Sequence, residues 1–473
     1  MIAPRLVILA VTGLASACAV GPDYSRPDVP VPEAFASAPE SADGALDAAW
    51  WQAFDDPVLT ALVDEALRGN RDLVAATARV EQAAAAVTIA RSPIFPQVGY
   101  DGSALRQQAS TTTATPLPGT VPNPQTTYSG LLTASWEIDL WGRIRRETEA
   151  ARARLLASEE ARRGVLLTLT SGVVGSYLQL RSLDEQLAVV RQTVRTREES
   201  LRVFEARRRA GVVSDLELAQ VRSELDSARA ASPSLELQVE EVENALSVLL
   251  GRNPGPVERG RRIAELGVPP IPAGLPSDLL ERRPDVRQAE ETLVAANALM
   301  GAARARYFPT ISLTGAFGGV SQELDALFSG PSEAWSYGGS ITGPLFTAGA
   351  VRAQSAQAQA ARKEALAAYE LAVQNAFRDA ENALKAVQST RQRLEILDRQ
   401  VASLRDYARL ARRRYEGGYT SYLEVLDSER TLLNAEVTVA QAEAEHRNAL
   451  VGAYRALGGG WIDLADAQSA PAT

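Results

Sequence analysis

The sequence predicts a mainly α-helical protein with a membrane β part, and three observations support this fold class. Two long stretches, 143–209 and 351–415, lack proline and carry apolar residues three and four positions apart, which is the spacing of coiled-coil helices. Four segments of roughly ten residues alternate apolar and polar side chains, as strands with one apolar face do. A pair of such strand segments followed by a long helical stretch occurs twice along the chain, which indicates duplicated halves.

The long helices are predicted to fold back as antiparallel coiled coils. At about 1.5 Å per residue, the first proline-free stretch corresponds to roughly 100 Å of helix. Return helices are predicted at 235–249 and 423–457, again with apolar residues along one side. These stripes are interpreted as coiled-coil core, and the frequent alanines permit close helix approach.

A tight turn is predicted between the two helices of each hairpin. Each long helix ends in an arginine-rich segment at a glycine, Gly211 or Gly418, the residue type that adopts the left-handed conformation without steric penalty. A Ser-x-x-Glu sequence follows, at 214–217 and 421–424, and predicts a capping box at the start of each return helix. The glycines are 418 − 211 = 207 residues apart, so we expect two equivalent tips.

The four alternating segments have the length that a tilted strand needs to cross an outer membrane, and aromatic residues gather near their ends. The alternative is the edge of a soluble sandwich. Four strands cannot close a barrel, and open edges are not tolerated in lipid, so several chains would have to share one barrel. The predicted apolar positions are Val98, Tyr100, Gly102 and Ala104; Leu132, Ala134, Trp136, Ile138 and Leu140; Ile311, Leu313, Gly315 and Phe317; and Trp335, Tyr337, Gly339, Ile341, Gly343 and Leu345.

The N-terminus is typical of an exported lipoprotein. Residues 1–17 are predicted to be a signal peptide, with Arg5 as its only charged side chain, an apolar core, and small residues before Cys18. This segment resembles a bacterial lipoprotein box with Cys18 as the acylated residue, although Ala15 stands where that box usually has leucine. The alternative is ordinary signal cleavage with an incidental cysteine. Because a lipid alone anchors a protein weakly, a second membrane attachment is expected.

Beyond the signal peptide, five segments are predicted. They are a lipidated N-terminal arm (18–54), a first structural repeat (55–254), a linker rich in proline and glycine (255–276), a second structural repeat (277–457) and a C-terminal tail (458–473). Each repeat contains helices, a strand pair and a long helical hairpin.

Charge and rare residue types argue against several classes of function. The net charge of −9 argues against nucleic acid as a partner. The single histidine, His446, and the single cysteine, Cys18, provide no basis for a metal site, a disulfide or histidine-based catalysis. The chain is therefore predicted not to be an enzyme and not to need a cofactor.

Four motifs carry a family resemblance. They are CAVGPDYSRP (18–27), WEIDLWGR (136–143), LPSDLLERRPDV (275–286) and YFPTISL (307–313). With the order of signal peptide, cysteine, helices, strand pair and long hairpin, repeated once, they resemble the TolC-like outer-membrane efflux factors. The specific similarity is to the lipoprotein (NodT/OprM-type) branch, which serves RND tripartite efflux pumps. It covers the chain from Cys18 to about Leu457.

The resemblance implies a homotrimer whose twelve transmembrane strands close one barrel in outer-membrane lipid and continue as a helical tunnel through the periplasm, with the 255–276 linker in an equatorial region. It also implies a periplasmic adaptor (membrane fusion protein) and an inner-membrane RND pump as partners. The implied function is conduction of small molecules such as drugs and toxic compounds. A duct of the same fold for type I protein secretion or metal-ion efflux is one alternative. A structural coiled-coil lipoprotein without a pore is the alternative from another class.

The resemblance places the functional residues at the hairpin tips. Tyr415, Asp427, Glu424 and Glu217 would form a periplasmic gate, and the acids would form a narrow ring that favours cations. Helix capping is the competing role for both glutamates, and a solvated acid is the competing interpretation of Asp427. An arginine of some family members is replaced here by Thr420.

The resemblance further implies that the adaptor docks on the tips, for which turn geometry alone is the alternative explanation. The docking residues would be Gly211, Val212, Val213, Gly418, Tyr419 and Thr420.

Overall fold

The computed structural model describes residues 20–37, 49–110, 112, 122–271 and 276–459. The predicted signal peptide (1–17), the predicted acylation site Cys18 and the tail beyond residue 459 lie outside the described residues. Within the described part, the chain is mainly helical with one four-stranded antiparallel sheet, which confirms the predicted fold class.

The first half contains four helices and two strands. Asp56 caps the first helix, since its Oδ1 accepts a hydrogen bond from the Val58 N–H at 2.9 Å, and Pro57 occupies the first helical position. The elements are α1 (Pro57–Gly69), α2 (Arg71–Arg91), β1 (Gln97–Gln107), β2 (Gln125–Ile138), α3 (Arg143–Arg209) and α4 (Asp215–Leu249).

The second half repeats this order after a segment with short 3-10 turns. A single helical turn precedes its first long helix. The elements are α5 (Leu279–Arg282), α6 (Pro284–Ala305), β3 (Thr310–Ser321), β4 (Glu333–Thr342), α7 (Ala350–Glu416) and α8 (Tyr422–Ala456).

The helix bounds confirm the duplication. Helices α3 and α7 each have 67 residues, and α4 and α8 each have 35. Adding 207 to the bounds of α3 and α4 gives the bounds of α7 and α8 at all four ends. The repeat boundaries at 55–254 and 277–457 stay a prediction.

The sheet has the strand order β1-β2-β3-β4, and its register places the predicted apolar positions on one face. One row crosses all four strands, because Tyr100 lies opposite Leu132, Leu132 opposite Phe317, and Phe317 opposite Trp335. These four side chains are 57 % to 90 % exposed. The sheet of a single chain therefore presents an uncovered apolar face, and the outer edges of β1 and β4 lack a neighbour among the described strands.

Three predicted strand positions lie beyond the strands. Leu140 follows the end of β2, where the chain turns and its N–H donates to the Ile138 carbonyl at 2.8 Å. Gly343 and Leu345 follow the end of β4, because Pro344 between them has no N–H for a ladder hydrogen bond.

The chain forms two compact units, each built from both halves. The first unit holds the sheet and a cluster of small buried residues, Ala150, Ala153, Ala295 and Ala298. The second unit has a main core that includes Trp50 and Tyr177, and a separate aromatic and aliphatic cluster near the hairpin tips.

Helix α4 departs from a simple sequence rule. It continues through Pro233, although proline in a helix interior usually costs about 3 kcal/mol.

One helical segment could cross a membrane by length and composition. Among the described residues, Arg71–Ile94 has the length and the apolar composition of a membrane-spanning helix. Length and composition alone are weak evidence for a span, and α2 also carries charged residues at both ends.

Candidate functional site at the helix tips

The first tip (residues 207–218) ends α3 in a Schellman motif. Gly211 has φ +75°, the Val212 N–H donates to the Arg207 carbonyl at 2.9 Å, and the Gly211 N–H donates to the Arg208 carbonyl at 3.0 Å. A β-carbon at Gly211 would meet no atom within 4 Å, so backbone conformation and not crowding selects glycine here.

The predicted capping box of the first tip is confirmed. Ser214 Oγ accepts from the Glu217 N–H at 3.2 Å, and Glu217 Oε2 accepts from the Ser214 N–H at 2.8 Å. The carboxylate of Glu217 is therefore engaged in starting α4.

The second tip (residues 414–425) repeats the Schellman motif. Gly418 has φ +77°, the Tyr419 N–H donates to the Arg414 carbonyl at 2.9 Å, and the Gly418 N–H donates to the Tyr415 carbonyl at 3.0 Å. Both helix ends predicted from the glycines are thus confirmed.

The predicted capping box of the second tip is wrong. Ser421 is the residue before α8, but its side chain makes no capping hydrogen bond. The Glu424 carboxylate instead accepts from Arg414 Nη1 at 3.0 Å and from the Thr420 hydroxyl. Arg414 and Thr420 together thus supply a positive charge and a hydrogen bond to Glu424.

An aromatic cluster joins the two hairpins just behind the tips. The rings of Phe204 and Tyr422 lie 4.3 Å apart, and those of Tyr415 and Tyr422 lie 5.0 Å apart. Burial raises the pKa of the Tyr422 hydroxyl, which keeps that group neutral. The Tyr415 hydroxyl accepts from Arg207 Nη1 at 3.1 Å, so the end of α7 is linked directly to the end of α3.

Two further acids at or just beyond the tips, Asp427 and Asp215, are exposed and paired with arginine. Asp427 Oδ1 accepts from Arg430 Nη2 at 2.8 Å, one turn along α8. At the first tip, Arg208 donates two hydrogen bonds to Asp215, at 2.6 and 2.8 Å, and this arginine lowers the pKa of the Asp215 carboxyl.

The exposed apolar surface of the tips differs from the predicted docking residues at three positions. Val212 is 72 % and Tyr419 is 81 % exposed, but Val213 is partly buried against the Phe204 cluster. Val213 is therefore less exposed than its place in a turn suggests, because the turn directs it towards the hairpin core, and its role in docking stays a prediction. Two exposed leucines that sequence reasoning missed lie at equivalent positions on the return helices, Leu216 (68 %) and Leu423 (57 %).

The start of the described chain, residues 20–26, is held against α3 and α6 in the first unit. The Val20 N–H donates to the Trp141 carbonyl at 3.0 Å, and Arg146 Nη2 donates to Asp23 Oδ1 at 2.7 Å. Asn297 Nδ2 donates to the Pro22 carbonyl at 3.1 Å. These contacts fix the position of residues 20–23 against α3 and α6.

The described residues also hold Tyr24 and Arg26 on a single carboxylate. Glu290 accepts from the Tyr24 hydroxyl at 3.1 Å and from Arg26 Nη2 at 2.7 Å. Burial and this carboxylate raise the pKa of Tyr24. Within the described part of the chain, no cluster of three or more His, Cys, Asp or Glu residues could hold a metal ion.

Comparison with known proteins identifies relatives over nearly the whole chain. Residues 62–252 and 275–459 match the family model described as "Outer membrane efflux protein", so each half contributes one matched segment. The toluene efflux pump outer membrane protein TtgC of Pseudomonas putida is 34 % identical, over 97 % of this chain and 96 % of that protein. The cation efflux system protein CusC of Escherichia coli O157:H7 is also 34 % identical, over 97 % of this chain and 98 % of that protein.

A solved structure agrees with these relatives. The crystal structure of the open state of the Neisseria gonorrhoeae MtrE outer membrane channel is similar with a TM-score of 0.85 at 32 % identity, covering 94 % of this chain and 99 % of that one. The resemblance to the TolC-like factors of the OprM type is thereby confirmed. The chain belongs to the outer membrane efflux protein family.

Proposed function

We propose that three copies of this chain form the outer membrane channel of a tripartite efflux pump, which conducts small molecules and is gated at the two tips. The observation that carries this proposal is the four-stranded sheet with its exposed apolar face. A membrane would cover that face, whereas a soluble single chain would leave the Tyr100–Leu132–Phe317–Trp335 row in water.

The two sheet edges support assembly of several copies. A strand edge in lipid leaves N–H and C=O groups unpaired at a cost of several kcal/mol each, so β1 of one copy must pair with β4 of another. Four strands from each of three copies give a twelve-stranded barrel, within the range of known outer-membrane barrels. The number of copies, three, is the one that the family resemblance implies.

The contacts behind the tips support a gate. The hydrogen bond from Arg207 to the Tyr415 hydroxyl joins the two hairpins, and Arg414 with Thr420 holds Glu424 at the start of α8. All these side chains lie at or near the surface, where an exposed ion pair contributes only about 0–1 kcal/mol. Such weak links can be broken by a partner protein, as a gate requires.

The four exposed apolar side chains support adaptor docking at the same end. Val212 and Leu216 form one pair, and Tyr419 and Leu423 form the equivalent pair 207 residues later. Equivalent pairs on both hairpins would offer an adaptor six similar contacts around the trimer. An inner-membrane pump would then supply the cargo through that adaptor.

The contacts of residues 20–26 with the first unit support acylation of Cys18. The Val20 N–H is hydrogen-bonded to the Trp141 carbonyl. The Trp141 ring stacks on Phe308 at 4.6 Å, beside the sheet. Cys18 precedes Val20 by two residues, which span at most about 7 Å. We propose that a lipid on Cys18 would enter the membrane beside the barrel and that the barrel is the second attachment.

The cargo class is proposed from the family and not from a binding site. TtgC and CusC are named for toluene and for cations, yet they are equally similar to this chain. Small-molecule efflux is our proposal, with metal-ion efflux or protein secretion through the same duct as alternatives. A lipoprotein without a pore is disfavoured because it would leave the sheet edges unexplained.

Cysteine labelling in intact cells tests the membrane insertion. Asp325 lies exposed in the loop between β3 and β4, and we expect Asp325→Cys to react with a membrane-impermeant maleimide applied outside. Val212→Cys at the first tip should react only after the outer membrane is permeabilised. Labelling of neither or of both positions in intact cells would contradict the proposed topology.

A further inference from the structure

Among the ion pairs that join the helices of the first hairpin near its tip, two share one polarity. Glu198 on α3 accepts from Arg229 on α4 at 2.7 Å, and Glu205 on α3 accepts from Arg222 on α4 at 3.2 Å. In both pairs the acid is on the long helix and the arginine is on the return helix.

The second hairpin has two ion pairs at the equivalent levels. Adding 207 to the four positions gives Arg405 and Glu436, whose side chains are 2.8 Å apart, and Arg412 and Glu429, which are also bonded to each other. Here the arginine is on the long helix α7 and the acid is on the return helix α8. Both pairs have therefore kept their positions and inverted their polarity between the two halves.

The inversion matters because each long helix has two return helices of equal length with which it could pair. The long helices have the same length, as do the return helices, and the tips share one turn geometry. If α3 took α8 as its partner at the native register, Glu198 would face Glu436 and Glu205 would face Glu429. If α7 took α4, two pairs of arginines would meet in the same way.

We propose that this inverted polarity selects the correct return helix for each long helix, against exchange between the two hairpins of one chain or of neighbouring copies. Charged residues flanking a coiled-coil seam determine partner choice through the same physical effect. The pairs are exposed, so each contributes little to the stability of the native fold. Their effect comes from the difference between native pairing, with four attractions, and exchanged pairing, with four repulsions.

The other inter-helix ion pairs do not share this property. Arg191 on α3 pairs with Glu236 on α4 at 2.8 Å, but the positions 207 residues later are Asp398 and Glu443, which carry charges of the same sign.

Two further pairs near the tips do not invert either. Arg197 pairs with Glu224 at 3.1 Å, but the positions 207 residues later are Leu404 and Thr431. Arg414 pairs with Glu424 at 3.0 Å, and the equivalent residues Arg207 and Glu217 carry the same two charges in the same order. The inversion is thus confined to the levels of Glu198 and Glu205.

Full-chain refolding tests the proposal. The fourfold variant E198R/E205R/R222E/R229E keeps both ion pairs of the first hairpin but gives it the polarity of the second. We expect its native thermal midpoint to stay within a few degrees of the parent protein. After dilution from urea into detergent, we expect recovery of the protease-resistant fold to fall about threefold or more, because exchanged pairing is no longer repulsive.

The matched control inverts the second hairpin as well. Adding R405E/R412E/E429R/E436R restores opposite polarities with eight changes instead of four, and recovery should return to the parent level. Parent-level recovery of the fourfold variant would overturn the proposal. Equal losses in the fourfold and eightfold variants would also overturn it, because they would show that the individual residues matter and their relative polarity does not.

Discussion

At the residue scale, the two tips show how one sequence pattern yields two different uses of a glutamate. At the second tip, Thr420 and Arg414 both bond Glu424 and draw its carboxylate away from Ser421. The position equivalent to Thr420 in the first tip is Val213, which has no hydroxyl. The position equivalent to Arg414 is Arg207, which donates to Tyr415 instead. Glu217 is therefore left to cap α4.

This difference predicts that two equivalent substitutions have different effects. Glu217→Ala should remove the capping box and destabilise the start of α4 by about 1 kcal/mol, which corresponds to roughly fivefold faster amide exchange of residues 214–218. Glu424→Ala should leave exchange at the start of α8 nearly unchanged, because Glu424 does not cap that helix. Hydrogen exchange measured by mass spectrometry checks both variants.

Glu217→Gln is the control for the first tip, since glutamine also completes a capping box and should keep the slow exchange. If Glu424→Ala speeds exchange at its own tip as much as Glu217→Ala does at the other, the distinction between the two glutamates is wrong.

At the element scale, the sequence determines most of the fold through local signals. Gly211 and Gly418 mark the ends of the long helices, and the absence of proline before them indicates that these helices are uninterrupted. Period-two alternation marks the strands. Such signals depend on neighbours in sequence and can be read without the fold. Helix α4 is the exception, because it continues through Pro233, where sequence rules favour a break.

The contacts that define the candidate site were less predictable. The bond between Arg207 and Tyr415 joins residues 208 positions apart, and the burial of Val213 depends on the Phe204 cluster. Both require the packing of two hairpins, which no local pattern contains. The inverted ion pairs were readable in principle, by comparing charges at a spacing of 207 once that spacing was known.

The packing of the N-terminal arm on α6 makes a prediction at this scale. Gly21 and Gly301 are in such close contact that a β-carbon on Gly301 would lie 2.9 Å from the Val20 carbonyl oxygen. Gly301→Ala should displace the arm, since the clash involves backbone and costs about 1–3 kcal/mol. We expect at least roughly fivefold faster amide exchange at Val20 and Gly21.

Gly452→Ala is the matched control, because Gly452 is also inside a helix and a β-carbon there would meet nothing within 4 Å. It should be neutral or stabilising by up to about 1 kcal/mol. An unchanged arm in Gly301→Ala would show that the close contact between the glycines does not hold the arm.

At the scale of the whole molecule, the sheet and the tips have to be explained together. The exposed apolar face and the unpaired edges of the sheet call for lipid and for further copies, and family membership agrees with an outer membrane location. The tips combine weak polar links with exposed apolar pairs, which supports the proposed gate and the proposed docking of an adaptor at that end. A channel with a controlled periplasmic entrance accounts for both.

Conductance of the purified, assembled protein in a planar lipid bilayer tests this central claim most directly. We predict discrete conductance steps with a preference for cations. E424A/D427A should lower the cation-to-anion permeability ratio about twofold, because two acids per chain are lost near the narrow entrance. Val248→Ala, an exposed change on α4 away from the tips, should leave the ratio unchanged. Unaltered selectivity of E424A/D427A would contradict the acidic entrance. Assembled protein that inserts without any conductance steps, even in E424A/D427A, which lacks the Arg414–Glu424 link of the proposed gate, would contradict the channel itself.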